Sequence, residues 1–271
     1  MSNWFSGDII ANGIRIHYYR TGGNKRPLVL SHGANDAALC WIPLTKALEA
    51  DFDVIMPDAR GHGLSEAPED DYSTAARAAD LVGLIQALGL ERPALGGHSM
   101  GAGTTLRLIA DHPHMACCAI LEDPALREAP PTREEQEARA SQSRADAAER
   151  KTKDRNALIA QGRASNPAWS ADELEAWADA KQRVSLNFAG AIRFPDGPDW
   201  RELFPKITCP TLLITADPDR GAIVTPQIAE EARQLLPTLK IAHIPNAGHS
   251  IRREQFEAYL AVVREFLDGV S

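Results

Sequence analysis

Two hydrophobic rhythms alternate along the chain. Short apolar runs at 27–30, 54–57, 93–98, 116–121, 210–215 and 239–244 each suit a buried strand, and between most of them apolar positions recur at three- or four-residue spacing. The stretch 73–88 shows the second rhythm most clearly: Ala78, Leu81, Val82, Ile85 and Leu88 share one helical face, and Gly89 marks the stop. Further helices are predicted near 41–50, at 100–111, at 226–236 and at 254–267. Strands that are apolar throughout, separated by such helices, predict a parallel sheet covered on both faces. Residues 8–20 differ, because two segments meet at Asn12-Gly13, a strong hairpin signal that adds an antiparallel edge.

The rhythm breaks at Arg127. From 128 to 165 Ala, Glu, Arg and Gln dominate with few large apolar residues, and capping patterns at Thr132-Arg133-Glu134-Glu135 and Ser170-Ala171-Asp172-Glu173 open helices. Such helices cannot form a core of their own. Residues 127–204 are therefore expected to be a helical cap lying over the C-terminal edge of the sheet, with Trp169, Trp177, Phe188, Phe194 and Trp200 facing down. Residues 1–126 and 205–271 then make up the core domain, and Trp169 and Trp177 become candidate substrate contacts.

Composition narrows the partners. Lys plus Arg number 29 against 37 Asp plus Glu, and the net charge of −8 argues against nucleic acid or an anionic membrane. Residues 1–6 lack a basic-then-apolar leader pattern, and nowhere do about 18 apolar residues run together. A cytoplasmic location is the expectation. Cys40, Cys117, Cys118 and Cys209 show no C-x-x-C spacing and are expected to be reduced thiols; with no H-x-x-x-H pair either, no metal or other cofactor is expected.

Candidate chemistry centres on Gly97-His98-Ser99-Met100-Gly101, a G-x-S-x-G between a strand and a helix. A turn that sharp has no room for side chains two residues either side of the serine, and it would hold Ser99 exposed at a helix N-terminus that favours developing negative charge. Serine is a weak nucleophile at neutral pH, so the elbow calls for a histidine base and an acid to orient it. His249, in Asn246-Ala247-Gly248-His249 after the last strand, is the base expected. Three carboxylates are candidates for the acid: Asp217 and Asp219 on the loop after 210–215, and Asp123 at the end of an earlier strand.

These segments, together with Ser31-His32-Gly33 and Asp58-Ala59-Arg60-Gly61-His62-Gly63-Leu64-Ser65, make nearly the whole chain resemble an α/β-hydrolase fold enzyme with an inserted cap. The resemblance implies a mostly parallel eight-stranded sheet, and an acid usually three residues past the small residue that closes its strand. Counting from Ala216 selects Asp219, although the loop through Gly221 to Pro226 is longer than usual and some members use the position matching Asp123. It also implies an oxyanion hole from the backbone N–H groups of Ala34 and Met100; Asn35, next along that loop, is a candidate polar pocket contact, with a turn residue as the alternative. The reaction expected is hydrolysis of a small carboxylic ester or lactone through an acyl-enzyme; the alternatives are a carbon–carbon bond hydrolase, a cofactor-free peroxidase-like enzyme and a non-catalytic small-molecule receptor. A serine nucleophile disfavours haloalkane dehalogenase and epoxide hydrolase chemistry. A homodimer is compatible with the sequence.

Overall fold

The computed structural model describes residues 4–167, 169–191 and 196–270. Strands β1 (Phe5–Ala11), β2 (Ile14–Arg20), β3 (Arg26–Ser31), β4 (Phe52–Pro57), β5 (Ala94–His98), β6 (Cys118–Glu122), β7 (Thr211–Thr215) and β8 (Lys240–His243) form one sheet in the order β1-β2-β4-β3-β5-β6-β7-β8. The hairpin turns at Asn12 and Gly13, both at positive φ, and pairs antiparallel with β4; every later pairing is parallel. Helices α1 (Ile42–Leu48), α2 (Thr74–Ala87) and α3 (Met100–Asp111) connect the first strands. Helices α4 (Arg133–Thr152), α5 (Arg155–Ser165), α6 (Ala171–Arg183), α7 (Leu186–Ala191) and α8 (Trp200–Leu203) lie between β6 and β7, and α9 (Pro226–Leu235), α10 (Ile251–Glu254) and α11 (Phe256–Asp268) complete the chain.

The apolar runs are continuous because both faces of the sheet are covered. Val29, Ile55, Leu95, Ala119, Leu121 and Leu213 pack towards α2, α3 and α9, while their neighbours Leu28, Leu30, Val54, Met56, Ile120 and Leu212 pack towards α1 and α11. That is the two-residue period of a strand read by two cores at once. Each such Leu or Ile, buried to within a few per cent, contributes about 1.5–3 kcal/mol relative to exposure.

The register sets the site. Ser31 lies beside Gly97, and His98 beside Glu122, so the loops that leave β3, β5 and β6 emerge next to one another at the carboxyl edge, where open α/β sheets place ligands. Helices α4 to α8 build on that edge. Thr132 and Glu135 form the reciprocal capping box, whereas at Ser170 only half forms, because the Glu173 carboxylate accepts instead from Arg253 at 2.8 Å. The apolar contact of α4 to α7 with the core is small, Ala147, Val184, Phe188 and Ala189 meeting Tyr72 and Met100, whereas Trp200 and Leu203 of α8 join the main core. Polar ties supplement it, including Ser185 N–H to the Gly61 carbonyl and Lys46 to Asp172.

Candidate active site

The turn between β5 and α3 is as tight as its glycines imply. A Cβ on Gly97 would lie 2.4 Å from the Gly101 carbonyl carbon, and one on Gly101 would lie 2.1 Å from the Ser31 carbonyl oxygen. Between them Ser99 sits at φ 52°, ψ −112°, a conformation that costs a non-glycine residue about 1–3 kcal/mol. Met100 opens α3, where the first N–H groups have no intrahelical acceptor. The N–H groups of Ala34 and Met100 both make no hydrogen bond to another described residue.

His249 reaches this turn on the loop after β8. Gly248 passes so close to the Arg220 carbonyl that a Cβ there would meet its oxygen at 2.3 Å, and Glu254 accepts from the Gly248 and Ser250 N–H groups. The His249 Nε2 lies 2.9 Å from the Ser99 Oγ, and its Nδ1 lies 2.6 Å from the Asp123 Oδ2. With a carboxylate against Nδ1, the proton belongs there and Nε2 is left to accept. His98 packs beside it at 4.7 Å between ring centroids and donates from Nε2 to the His249 carbonyl. Burial, with the charges of Arg252 and His249, holds His98 well below the usual imidazole range, so it stays neutral.

The acid on His249 is thus Asp123, not Asp219 or Asp217. Asp219 stands exposed in a short 3-10 turn at Pro218–Arg220. Asp217 is engaged elsewhere, its two carboxylate oxygens taking the His243 Nε2 at 2.9 Å and the Asn246 N–H at 2.8 Å. Asp123, at φ 40° and fully buried, also accepts from the N–H groups of Ile223 and Val224 at 2.9–3.1 Å. The unusually long loop through Gly221 therefore has a structural reason: it folds back to donate to Asp123.

Ser99 opens on a cavity of about 190 Å³ whose apolar wall includes Met100, Leu106, Leu126, Trp200 and Leu203 and whose polar side includes Arg77 and Arg127. Among the described residues, Trp200 is the one expected aromatic that lines it. Trp169 and Trp177 are corrected to packing residues: they stack edge-on at 6.5 Å, Trp169 also lies against the Arg253 guanidinium and Trp177 against Lys181. Phe188 packs on His62 and Tyr72, and Phe194 lies outside the described residues. Asn35 is not in the cavity wall either; its carbonyl accepts from Lys181 Nζ at 2.6 Å, which ties α6 to the loop that carries Ala34. Arg77 and Arg127 have no local sequence signal, since only the fold brings them to Ser99.

Beneath this loop lies a buried charge cluster that the sequence did not reveal. Asp36 pairs with Arg253 at 3.0 Å and Arg252 at 3.8 Å, Arg252 reaches Glu122 at 3.2 Å and stacks on Trp41, and Arg253 continues to Glu173 of α6. Burial alone would raise the Asp36 carboxyl, but Arg253, Lys181 and Arg252 hold it far below the ordinary carboxylate range. Its folded value lies below its unfolded one, so the stability it contributes is present above about pH 4 and is lost as the pH falls further. Asp36→Asn leaves buried cations without their anion and is expected to cost about 3–5 kcal/mol at pH 7. Thermal denaturation of both proteins at pH 7 and pH 3 checks this: the gap narrows at pH 3, and an equal gap at both values contradicts the assignment.

Comparison with known proteins decides the family. Residues 28–262 match the model of the Alpha/beta hydrolase family, and N-formylmaleamate deformylase of Pseudomonas putida is 32% identical over 97% of this chain and 96% of its own length. The chain belongs to the alpha/beta hydrolase family. This hydrolase is also similar to 2-(acetamidomethylene)succinate hydrolase of Mesorhizobium japonicum, at 25% identity over 92% of this chain and 91% of the relative. Among solved structures it resembles the enol-lactonase from Burkholderia xenovorans LB400, at 28% identity and a TM-score of 0.78, covering 97% of this chain and all of that one. Among the described residues of the hydrolase, no helix is long and apolar enough to cross a membrane.

Proposed function

We propose that Ser99, His249 and Asp123 are a catalytic triad that hydrolyses an acyl bond in a small molecule, with an amide-type C–N bond as the first substrate class and an ester or enol lactone as the second. The observation that carries this reading is the unbroken hydrogen-bond chain from Asp123 through His249 to Ser99, at 2.6 and 2.9 Å, ending on the cavity. The Ser99 Oγ attacks the carbonyl carbon while His249 Nε2 takes its proton. Asp123 stays ionised and stabilises the imidazolium. The N–H groups of Ala34 and Met100 receive the oxyanion, and a preformed donor of this kind supplies about 2.7–4 kcal/mol of transition-state stabilisation. His249 then protonates the leaving nitrogen or oxygen, and water attacks the acyl-enzyme by the same route in reverse. The helices between β6 and β7 serve as the lid that shuts the cavity.

Leaving-group preference follows the relatives. The two whose names state amide-type substrates each cover more than nine-tenths of their own length, while the enol-lactonase neighbour supports the oxygen-leaving alternative. The test is a side-by-side assay of N-formylmaleamate, 2-(acetamidomethylene)succinate and p-nitrophenyl esters from acetate to decanoate. The C–N substrates are expected to give kcat/KM at least about tenfold above any p-nitrophenyl ester, and the ester series to fall off beyond butyrate because the cavity is small. An optimum at octanoate or longer would contradict the small-substrate reading, and ester turnover alone would select the second class.

A further inference from the structure

Arg127 is a cation without a partner in the wall of the cavity that holds Ser99. Its guanidinium makes no hydrogen bond or ion pair with any described residue, and its Nε is sealed from solvent. The backbone around it is fixed, since the Arg127 carbonyl accepts from the Trp200 indole N–H at 3.0 Å and Leu126 N–H closes a turn on Pro124. Burial and the charge of Arg139 pull Arg127 below its ordinary value, Asp123 opposing, yet a guanidinium keeps its proton throughout the working pH range. An unpaired charge at such a position is costly unless a bound anion completes it.

The other described charges of the cavity wall are already committed. Arg77, the other guanidinium in the wall, bonds the Thr104 and Thr74 hydroxyls and the Tyr72 carbonyl and pairs with Asp196 at 3.6 Å. The two carboxylates that reach the cavity are engaged as well, Asp196 by the N-terminus of α2 at Thr74 and Asp199 by the backbone N–H and guanidinium of Arg201. Asp123 is spent on His249 and on the N–H groups of Ile223 and Val224. Among the described charged side chains of the cavity wall, Arg127 alone is left to meet a ligand.

Resting on the acyl-hydrolase reading, we infer that Arg127 binds a carboxylate of the substrate, so that the hydrolase acts on a small acid rather than on a neutral ester or amide. A fork of planar N–H donors suits a carboxylate, and the apolar wall opposite accepts the short carbon chain between that carboxylate and the scissile carbonyl. A charge-assisted pair in a partly desolvated site is expected to discriminate about 30-fold between an acid and its neutral isostere.

Isothermal titration calorimetry at pH 7 tests this without turnover. Succinate and the neutral succinamide are titrated into the wild type, Ser99→Ala, Arg127→Ala and Arg127→Lys, with circular dichroism and melting curves verifying the fold of each. The Kd of succinate is expected to lie about 30-fold below that of succinamide in the wild type and in Ser99→Ala, to lose that advantage in Arg127→Ala, and to regain part of it in Arg127→Lys. Equal binding of the two ligands by the wild type, no succinate binding at all, or a preference that survives Arg127→Ala would each overturn the inference. Because binding is read in Ser99→Ala too, a failure of the triad is distinguishable from a failure of Arg127.

Discussion

Ser99→Ala will lower kcat by at least about 10⁴-fold on whichever substrate the wild type turns over, while the protein still folds. The effect is large because in the proposed mechanism the Oγ is the atom that bonds to the acyl group, and neither His249 nor the backbone N–H groups can replace it. The fold survives because the side chain is not a structural tie: its only hydrogen bond among the described residues is the one to His249 at 2.9 Å, and alanine keeps the same strained backbone at φ 52°. Steady-state kinetics with a melting curve decide the matter, and a variant that retains more than about a hundredth of wild-type turnover would remove Ser99 from the chemistry.

Asp123→Asn will cost about 10⁴ in kcat, whereas Asp219→Asn will change it by less than about twofold. An amide at position 123 can present its NH₂ to His249, which favours the tautomer with a protonated Nε2, and that nitrogen can no longer take the serine proton. It also gives up the negative charge that stabilises the imidazolium. Asp219, exposed in its 3-10 turn, touches neither group. Kinetics of the two variants side by side separate the candidates. Loss of activity in Asp219→Asn with Asp123→Asn active would reverse the assignment.

The legible parts of this molecule are those written locally. The Asn12-Gly13 hairpin, the glycines around Ser99 and the glycine before His249 each answer to a backbone constraint within a few residues, so the sequence displays them. The alternation of strands and helices was legible for the same reason. The acid was not, because its choice depends on contacts across about a hundred residues: Ile223 and Val224 fold back onto Asp123, and a spacing rule applied to Ala216 points to an aspartate that the 3-10 turn carries away into solvent. Trp169 and Trp177 misled in a related way. Aromatic residues on the helices between β6 and β7 can face a ligand or a cation, and here Arg253 and Lys181 are the cations they cover. Along the sequence Arg127 marks only the point where composition changes, since nothing local distinguishes a charge that lacks a partner.

The most direct measurement is covalent. The wild type, Ser99→Ala and Asp123→Asn are treated with phenylmethylsulfonyl fluoride, and intact mass and peptide mapping report the site and rate of modification. The triad predicts one sulfonyl group on Ser99 in the wild type, appearing in step with loss of activity, much slower labelling in Asp123→Asn and none in Ser99→Ala. Inactivation with the label on another residue, or a wild type that stays active with Ser99 modified, would contradict the account.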